Sequence, residues 1–297
     1  MSDTRPQLRA AFGNHPIGDV LRSGAVDDPR VRLAHEAVSP IHKAFAPMVT
    51  DQAYDVSELA IVTGLQAIGY DHPITLMPVV LAARFQRGCL VTRSADPIDA
   101  RHLRGRRVGV RAYTQTTGFW VRTHLAEDYR IASQDVAWVT QNPAHVPEYQ
   151  DPTFVERTLR GSLEDALRAG QIDAAIFGND LPVGDEFVPV IDRPDERDRE
   201  WFGANGYAPI NHLVAVSTSV IDAHPEAVVG ALDLLVRAEE LAAGCTDGAR
   251  LTMSGLERLR GPVDAIARAC YDQGMLPRPL SSDEVFGPIT DLLAQHS

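Results

Sequence analysis

The sequence predicts an α/β protein of two lobes, each a mostly parallel sheet flanked by helices. Three observations lead there. Short apolar strand patterns alternate with amphipathic helical patterns along most of the chain, as β-α units do. One set of units precedes about residue 92, a second runs from about 106 to 205, and a helical return follows. The 297 residues, 44% hydrophobic and 23% charged, suffice for two separate cores. The expected division is residues 1–104 and 206–297 for the first lobe and 105–205 for the second. The chain then crosses once and returns, and lobes so connected close by hinge motion on a ligand in the cleft.

Each element has its own cue. Leu8 to Phe12 reads as a strand ending at Gly13-Asn14-His15-Pro16, and Ile17, Val20 and Leu21 share a helix face after it. Ala34 to Val38 reads as a second strand and Ile41 to Val49 as a helix. Tyr54 to Leu59 is a strand, followed by Ile61, Val62, Leu65 and Ile68 at helical spacing. Thr75 to Ala82 and Cys89 to Thr92 are β-rich, and Ile98 to Leu103 resembles a short helix.

In the second lobe, Val108 and Val110 mark a strand that runs through Tyr113 to Gly118 into the helix Phe119 to Leu125. Ser162 caps a helix through Leu163, Ala166 and Leu167; Gly170 ends it, and Ile172 to Phe177 is the next strand. Asp192 to Glu200 is a solvated loop or helix face. His212 to Val216 is a strand of the return, and Pro225 opens a helix with Val228, Val229, Leu232, Leu235 and Val236 on one face.

Charge narrows the partners. A net charge of −12 disfavours nucleic acid and anionic membranes, so an anionic ligand must be met by local arginines or backbone amides. No apolar run reaches membrane length, and the start Met1 to Arg9 lacks a signal-peptide pattern, so the expected compartment is the cytoplasm. Cys89, Cys245 and Cys270 are widely spaced and odd in number, which reads as buried free thiols. The histidines show no H-E-x-x-H or other metal spacing, so neither metal nor organic cofactor is expected. The expected partner is a small carboxylic acid, with a homo-oligomer left open.

The segment from Arg107 to Gly118 carries the sharpest chemical cue. A helix that opens on Thr116, Thr117 and Gly118 leaves its first N–H groups free, and the macrodipole adds partial positive charge there. Such an end suits a carboxylate, although threonines at helix starts also serve as caps.

Three segments together resemble the 4,5-dihydroxyphthalate decarboxylase-like family, which has the type II periplasmic-binding-protein fold. Tyr54-Asp55-Val56-Ser57-Glu58-Leu59 is similar to that family's F-D-V-S-E-[ML]. The run from Leu103 to Arg122 is similar to L-x-G-K-R-V-G-V-P-E-Y-Q-M-T-A-x-x-W-x-R. Ala208 to Val216 is similar to F-P-I-M-H-x-V-V-I. Order and spacing agree over most of residues 8 to 240. Two stretches depart. Gly13 to Gly18 stands where the family has G-D-Y-D-R-T, and Ala82 to Gly88 stands where it has S-R-x-F-R-H-S. These departures imply a different substrate on a shared fold.

The resemblance implies a cofactor-independent decarboxylase of a hydroxylated aromatic or heteroaromatic acid. Loss of CO2 requires a held carboxylate, a proton for the ring carbon and stabilisation of developing charge. His212 is the expected acid, since imidazole titrates near neutrality. Glu58, at a strand end, and His15, after the first strand, are its expected catalytic companions. Ser57, Arg84, Arg87, Arg111, Tyr113, Thr114, Thr116, Thr117 and Asn179 are the expected substrate contacts. Each has a plainer reading: structural hydrogen bonding for His212, capping for Glu58 and the threonines, a turn role for Asn179, surface exposure for the arginines. Two other functions fit the same fold, a non-catalytic solute-binding protein for small acids and another cytoplasmic lyase.

Overall fold

A computed structural model describes residues 4–243 and 250–296; Cys245 lies outside them. The chain forms, in order, β1 (Gln7–Ala11), α1 (Pro16–Ser23), β2 (Arg32–His35), α2 (Phe45–Asp51), β3 (Val56–Ala60), α3 (Ile61–Gly69) and β4 (Ile74–Ala83). There follow β5 (Leu90–Arg93), β6 (Arg107–Val110), α4 (Thr116–Tyr129), β7 (Ala137–Thr140), β8 (Val155–Glu156) and α5 (Leu163–Arg168). Next come β9 (Ala174–Ile176), β10 (Phe187–Pro189) and α6 (Pro194–Asn205). The return is β11 (Ile210–Ser217), α7 (Thr218–Ala223), α8 (Pro225–Ala243), α9 (Leu256–Asp272) and α10 (Ser282–Gln295).

Two compact units result. The first comprises Met1–Ala83, Ile210–Tyr271 and Leu276–Ser297, and the second Arg84–Pro209 with Asp272–Met275. The crossing therefore falls at Arg84 rather than at 105, because β5 pairs with β9 and β10 of the second sheet.

The first sheet has the order β2-β1-β3-β11-β4 and the second β10-β5-β9-β6-β7-β8. Both are mostly parallel in strand direction. In the first, β11 alone is reversed, antiparallel to β3 and to β4. In the second the reversed strand is β5, antiparallel to β9 and β10. Each reversed strand is the first one formed after the chain enters that unit, so a crossover helix did not set its direction.

Apolar side chains of β1, β3, β4 and β11 (Leu8, Val56, Met77, Val214, Val216) pack with Leu232 and Leu235 of α8 and Ile289 of α10. Val91, Val139, Leu163, Leu167, Ile172 and Phe177 form the core of the second unit. Gly109 in β6 is a glycine for space: a Cβ there would lie 2.5 Å from the Ile172 side chain. Ser162 caps α5 by accepting from Asp165 N at 3.0 Å, as its position before the helical pattern predicts.

Several boundaries differ from the sequence pattern. The second strand is Arg32–His35 rather than 34–38, since its register with Gln7–Ala10 of β1 sets its extent. Residues 41–49 divide into a single 3-10 turn, Ile41–Ala44, and α2, and the segment 98–103 contains only the turn Ala100–His102. The charged stretch 192–200 belongs to α6, and α4 starts at Thr116, three residues before the apolar periodicity begins. Among the described residues, no helix is long and apolar enough to cross a membrane.

Candidate active site

Glu58 is the centre of the first unit's polar cluster. It lies in β3, between β1 and β11, with 1% of its side chain exposed. A carboxylate so buried must be partnered. Strand register supplies the first partner. Glu58 stands opposite Val214 on β11, so His212, two residues along, projects from the same sheet face at diagonal reach. His212 Nδ1 lies 2.6 Å from Glu58 Oε1.

The turn after β1 supplies the other two partners. Gly13 N–H donates to Glu58 Oε2 at 2.7 Å, and His15 Nε2 lies 2.9 Å from the same oxygen. His15 also caps α1, its Nδ1 accepting from Gly18 N–H at 3.2 Å. The turn is pinned from outside by Arg22, which donates to the carbonyls of Phe12 and Gly13 and pairs with Asp19. Position 13 is tight: a Cβ would sit 3.0 Å from Glu58 Oε2 and 3.3 Å from the His15 ring.

Electrostatics follow from this geometry. Burial by itself pushes the Glu58 carboxyl up, but the hydrogen bonds from His15 and His212 outweigh it and hold the group well below the usual carboxylate range. Glu58 is an anion that accepts donors on both oxygens. His212 therefore presents Nδ1–H to Glu58, and its Nε2 makes no hydrogen bond among the described residues. Phe45 packs edge-on against the His212 ring, with centroids 5.2 Å apart. The His212 side chain keeps 23% of its surface exposed. It thus has a fixed ring, an anionic partner at one nitrogen and an available second nitrogen. That is the arrangement of a general acid or base.

The second unit holds the residues of the helix-start motif. Gln115 stands at the start of α4 without a side-chain cap, and the buried Thr116 hydroxyl has no hydrogen-bond partner among the described residues. Arg84 donates to Thr117 Oγ1 at 2.8 Å and to Asn179 Oδ1 at 2.7 Å. Thr114 is buried in the same turn, and the Arg111 guanidinium lies beside Gly178. An uncapped helix start with an unsatisfied hydroxyl and a neighbouring guanidinium suits an oxyanion.

Three of the expected substrate contacts are engaged within the protein. Tyr113 is 1% exposed: its hydroxyl donates to Gln273 O at 2.9 Å and its ring packs under the Arg122 guanidinium at 4.0 Å, so it braces the turn. Arg87, also 1% exposed, is spent on Asp198 at 2.8 Å and Asp128 at 2.9 Å. Ser57 is fully buried and donates to the carbonyls of Ala11 and Glu58. Of the two expected catalytic companions, Glu58 is 1% exposed and His15 has both ring nitrogens engaged. Sequence reasoning did not single out Gly13, Arg22, Asp198 or Gln273. Only Gly13 has a local signal, a glycine directly before Asn-His-Pro.

Among the described residues, no group of three or more His, Cys, Asp or Glu side chains is placed to hold a metal ion. Cys89 and Cys270 are buried. Burial pushes the Cys89 thiol up, which disfavours the nucleophilic thiolate.

The two sheets and their reversed strands define a periplasmic-binding-protein fold. The periplasmic aliphatic sulphonate binding protein SsuA of Escherichia coli superposes with a TM-score of 0.59 at 12% identity, covering 95% of this chain and 92% of that one. The desulfurization enzyme DSZB does so with a TM-score of 0.58 at 15% identity, over 99% of this chain and all of that one. The fold thus serves binding proteins and enzymes alike, and likeness at this level concerns the fold alone. In sequence, the chain is similar to the 4,5-dihydroxyphthalate decarboxylase of Comamonas testosteroni. The two are 25% identical over 239 residues, which span 74% of this chain and 70% of that protein. No family model matches the chain.

Proposed function

We propose that this protein is a cofactor-independent carboxy-lyase that decarboxylates a hydroxylated aromatic or heteroaromatic acid. The observation that carries the reading is the Glu58–His212 pair, with Nδ1 held at 2.6 Å and Nε2 left available. The sequence similarity to a 4,5-dihydroxyphthalate decarboxylase over 74% of the chain supports the reaction class.

The chemistry needs one mobile proton. A ring hydroxyl raises electron density at the carbon that bears the carboxylate. His212, charged and balanced by Glu58, gives the Nε2 proton to that carbon. The ring C–C bond then breaks, its electron pair restores aromaticity, and CO2 departs. His212 is left neutral and takes its next proton from water. Glu58 stabilises the charged ring and fixes its orientation, as a buried carboxylate does for other catalytic histidines. Within the second unit, the free start of α4 with Thr116 and Arg84 supports an acid as the ligand class.

A binding protein for small acids is the second reading, favoured by the likeness to the sulphonate binding protein. Product analysis separates the two. Incubation with a panel of hydroxylated benzoic, phthalic and heteroaromatic acids is expected to release CO2 and the decarboxylated ring. An acid that stabilises the protein against heat yet is recovered unchanged supports binding alone.

A further inference from the structure

We propose that His15 is a positioning residue for the His212 proton donor, acting through Glu58 as a neutral ring protonated at Nε2. The inference deepens the decarboxylase reading and rests on it for its kinetic consequence, though not for its geometry.

Hydrogen-bond direction fixes the state of His15. The Gly18 backbone N–H can only donate, so His15 Nδ1, 3.2 Å away, must offer a lone pair. The proton of a neutral ring is then on Nε2, facing Glu58 Oε2 at 2.9 Å. Protonating Nδ1 would set two N–H groups against each other and uncap α1. His212 has no such constraint, since its Nε2 bonds to nothing among the described residues. Two imidazoles share one carboxylate, and only His212 gains charge without breaking a bond.

The backbone is shaped for this arrangement. Gly18 approaches so closely that a Cβ there would meet Gly13 O at 2.3 Å, and a Cβ on Gly13 would lie 3.0 Å from Glu58 Oε2. The charged and titratable groups around the cluster have other partners or duties. Arg22 binds the Phe12 and Gly13 carbonyls and Asp19, Lys43 donates to Ser39 O, and His35 packs on Phe12. His42 lies on the neighbouring turn and Asp55 precedes β3, paired with Arg9.

Two substitutions divide the roles of the ring. His15→Asn offers an oxygen near the Nδ1 position and preserves the cap, but loses the donor to Glu58. His15→Gln places an N–H near the Nε2 position and preserves that donor, but weakens the cap. The test combines kinetics on an acid that is turned over with 15N NMR of the imidazoles across pH. The wild type is expected to show one histidine locked as the Nε2–H tautomer, assigned to His15 by its loss in His15→Asn. His15→Asn is expected to melt lower because Glu58 loses a buried donor, to keep KM, to lower kcat roughly tenfold to a hundredfold, and to move the His212 titration. His15→Gln is expected to melt lower while keeping kcat within about fivefold of wild type, the rescue expected of a donor-only role.

An unchanged His212 titration and unchanged kcat in His15→Asn would overturn the proposal and leave His15 as a helix cap. So would a His15 ring that titrates freely near neutrality. If no acid is decarboxylated, the NMR arm still decides the geometry, and the failure belongs to the decarboxylase reading.

Discussion

Replacing Glu58 by glutamine tests the electrostatic core of the account. The side chain keeps its size and loses its charge. In the wild type the carboxylate accepts from His212, His15 and Gly13 N–H while only 1% exposed. A glutamine offers one oxygen and places an NH2 group where the other oxygen accepted. At least one buried donor is then left facing a donor, and His212 loses its counter-charge. Charge-assisted hydrogen bonds are worth about 1.5–3 kcal/mol each, and breaking a buried pair costs about 3–5 kcal/mol. A loss of about 3 kcal/mol in urea unfolding at pH 7 is the expected result, with kcat lowered by about 10²–10⁴.

The pH dependence has a definite sign. The Glu58 carboxyl is held below its ordinary value of 4.5 in the folded protein, so its contribution to stability is full above that value. It fades as pH falls below 4.5 toward the folded-state value. The stability gap between wild type and Glu58→Gln therefore narrows on acidification below 4.5. A gap under about 0.5 kcal/mol at pH 7, or one that widens as pH falls below 4.5, refutes the reasoning.

Further outcomes are expected elsewhere. Gly13→Ala presses a methyl on Glu58 and His15; a loss of about 1–3 kcal/mol by thermal or urea melts and a lower kcat check it. Arg87→Met strands Asp198, itself 2% exposed, and is expected to cost about 3–5 kcal/mol in urea unfolding. KM measured on the folded fraction should then stay near wild type, because Arg87 holds the second unit together rather than a ligand. Thr116→Val removes a buried hydroxyl that has no partner among the described residues, so melting is expected to be unchanged or higher. Calorimetric titration with the turned-over acid is expected to show about 1 kcal/mol weaker binding.

Local pattern made most of the fold legible. Strand and helix periods at 8–23, 54–69, 107–125 and 162–177 are satisfied within a few neighbouring residues, so they read through without tertiary information. The strand Ala137–Thr140 was not legible, being four residues long with no strong alternation. Of the candidate site, His212, Glu58 and His15 were legible as residue types, but their joining was not. Glu58 meets partners 43 and 154 residues away, and only strand register and the β1–α1 turn bring them together. Long-range pairing also explains the expected contacts that are engaged within the protein. Arg87 is claimed by Asp198, 111 residues on, and Tyr113 by Gln273, 160 residues on. An arginine or tyrosine in a motif looks available until such partners are known.

The central claim is that His212 delivers a proton to the carbon that loses CO2. The direct measurement follows a 13C-carboxyl-labelled hydroxyaromatic acid in heavy water by NMR, with wild type and His212→Gln. Labelled CO2 is expected from the wild type, with one deuterium at the former carboxyl-bearing carbon for each CO2. His212→Gln is expected to be slower by about a hundredfold or more, measured on the folded fraction, since it also takes the Nδ1–H donor from Glu58. Labelled CO2 formed equally fast by His212→Gln, or an acid bound and returned intact by the wild type, would contradict it.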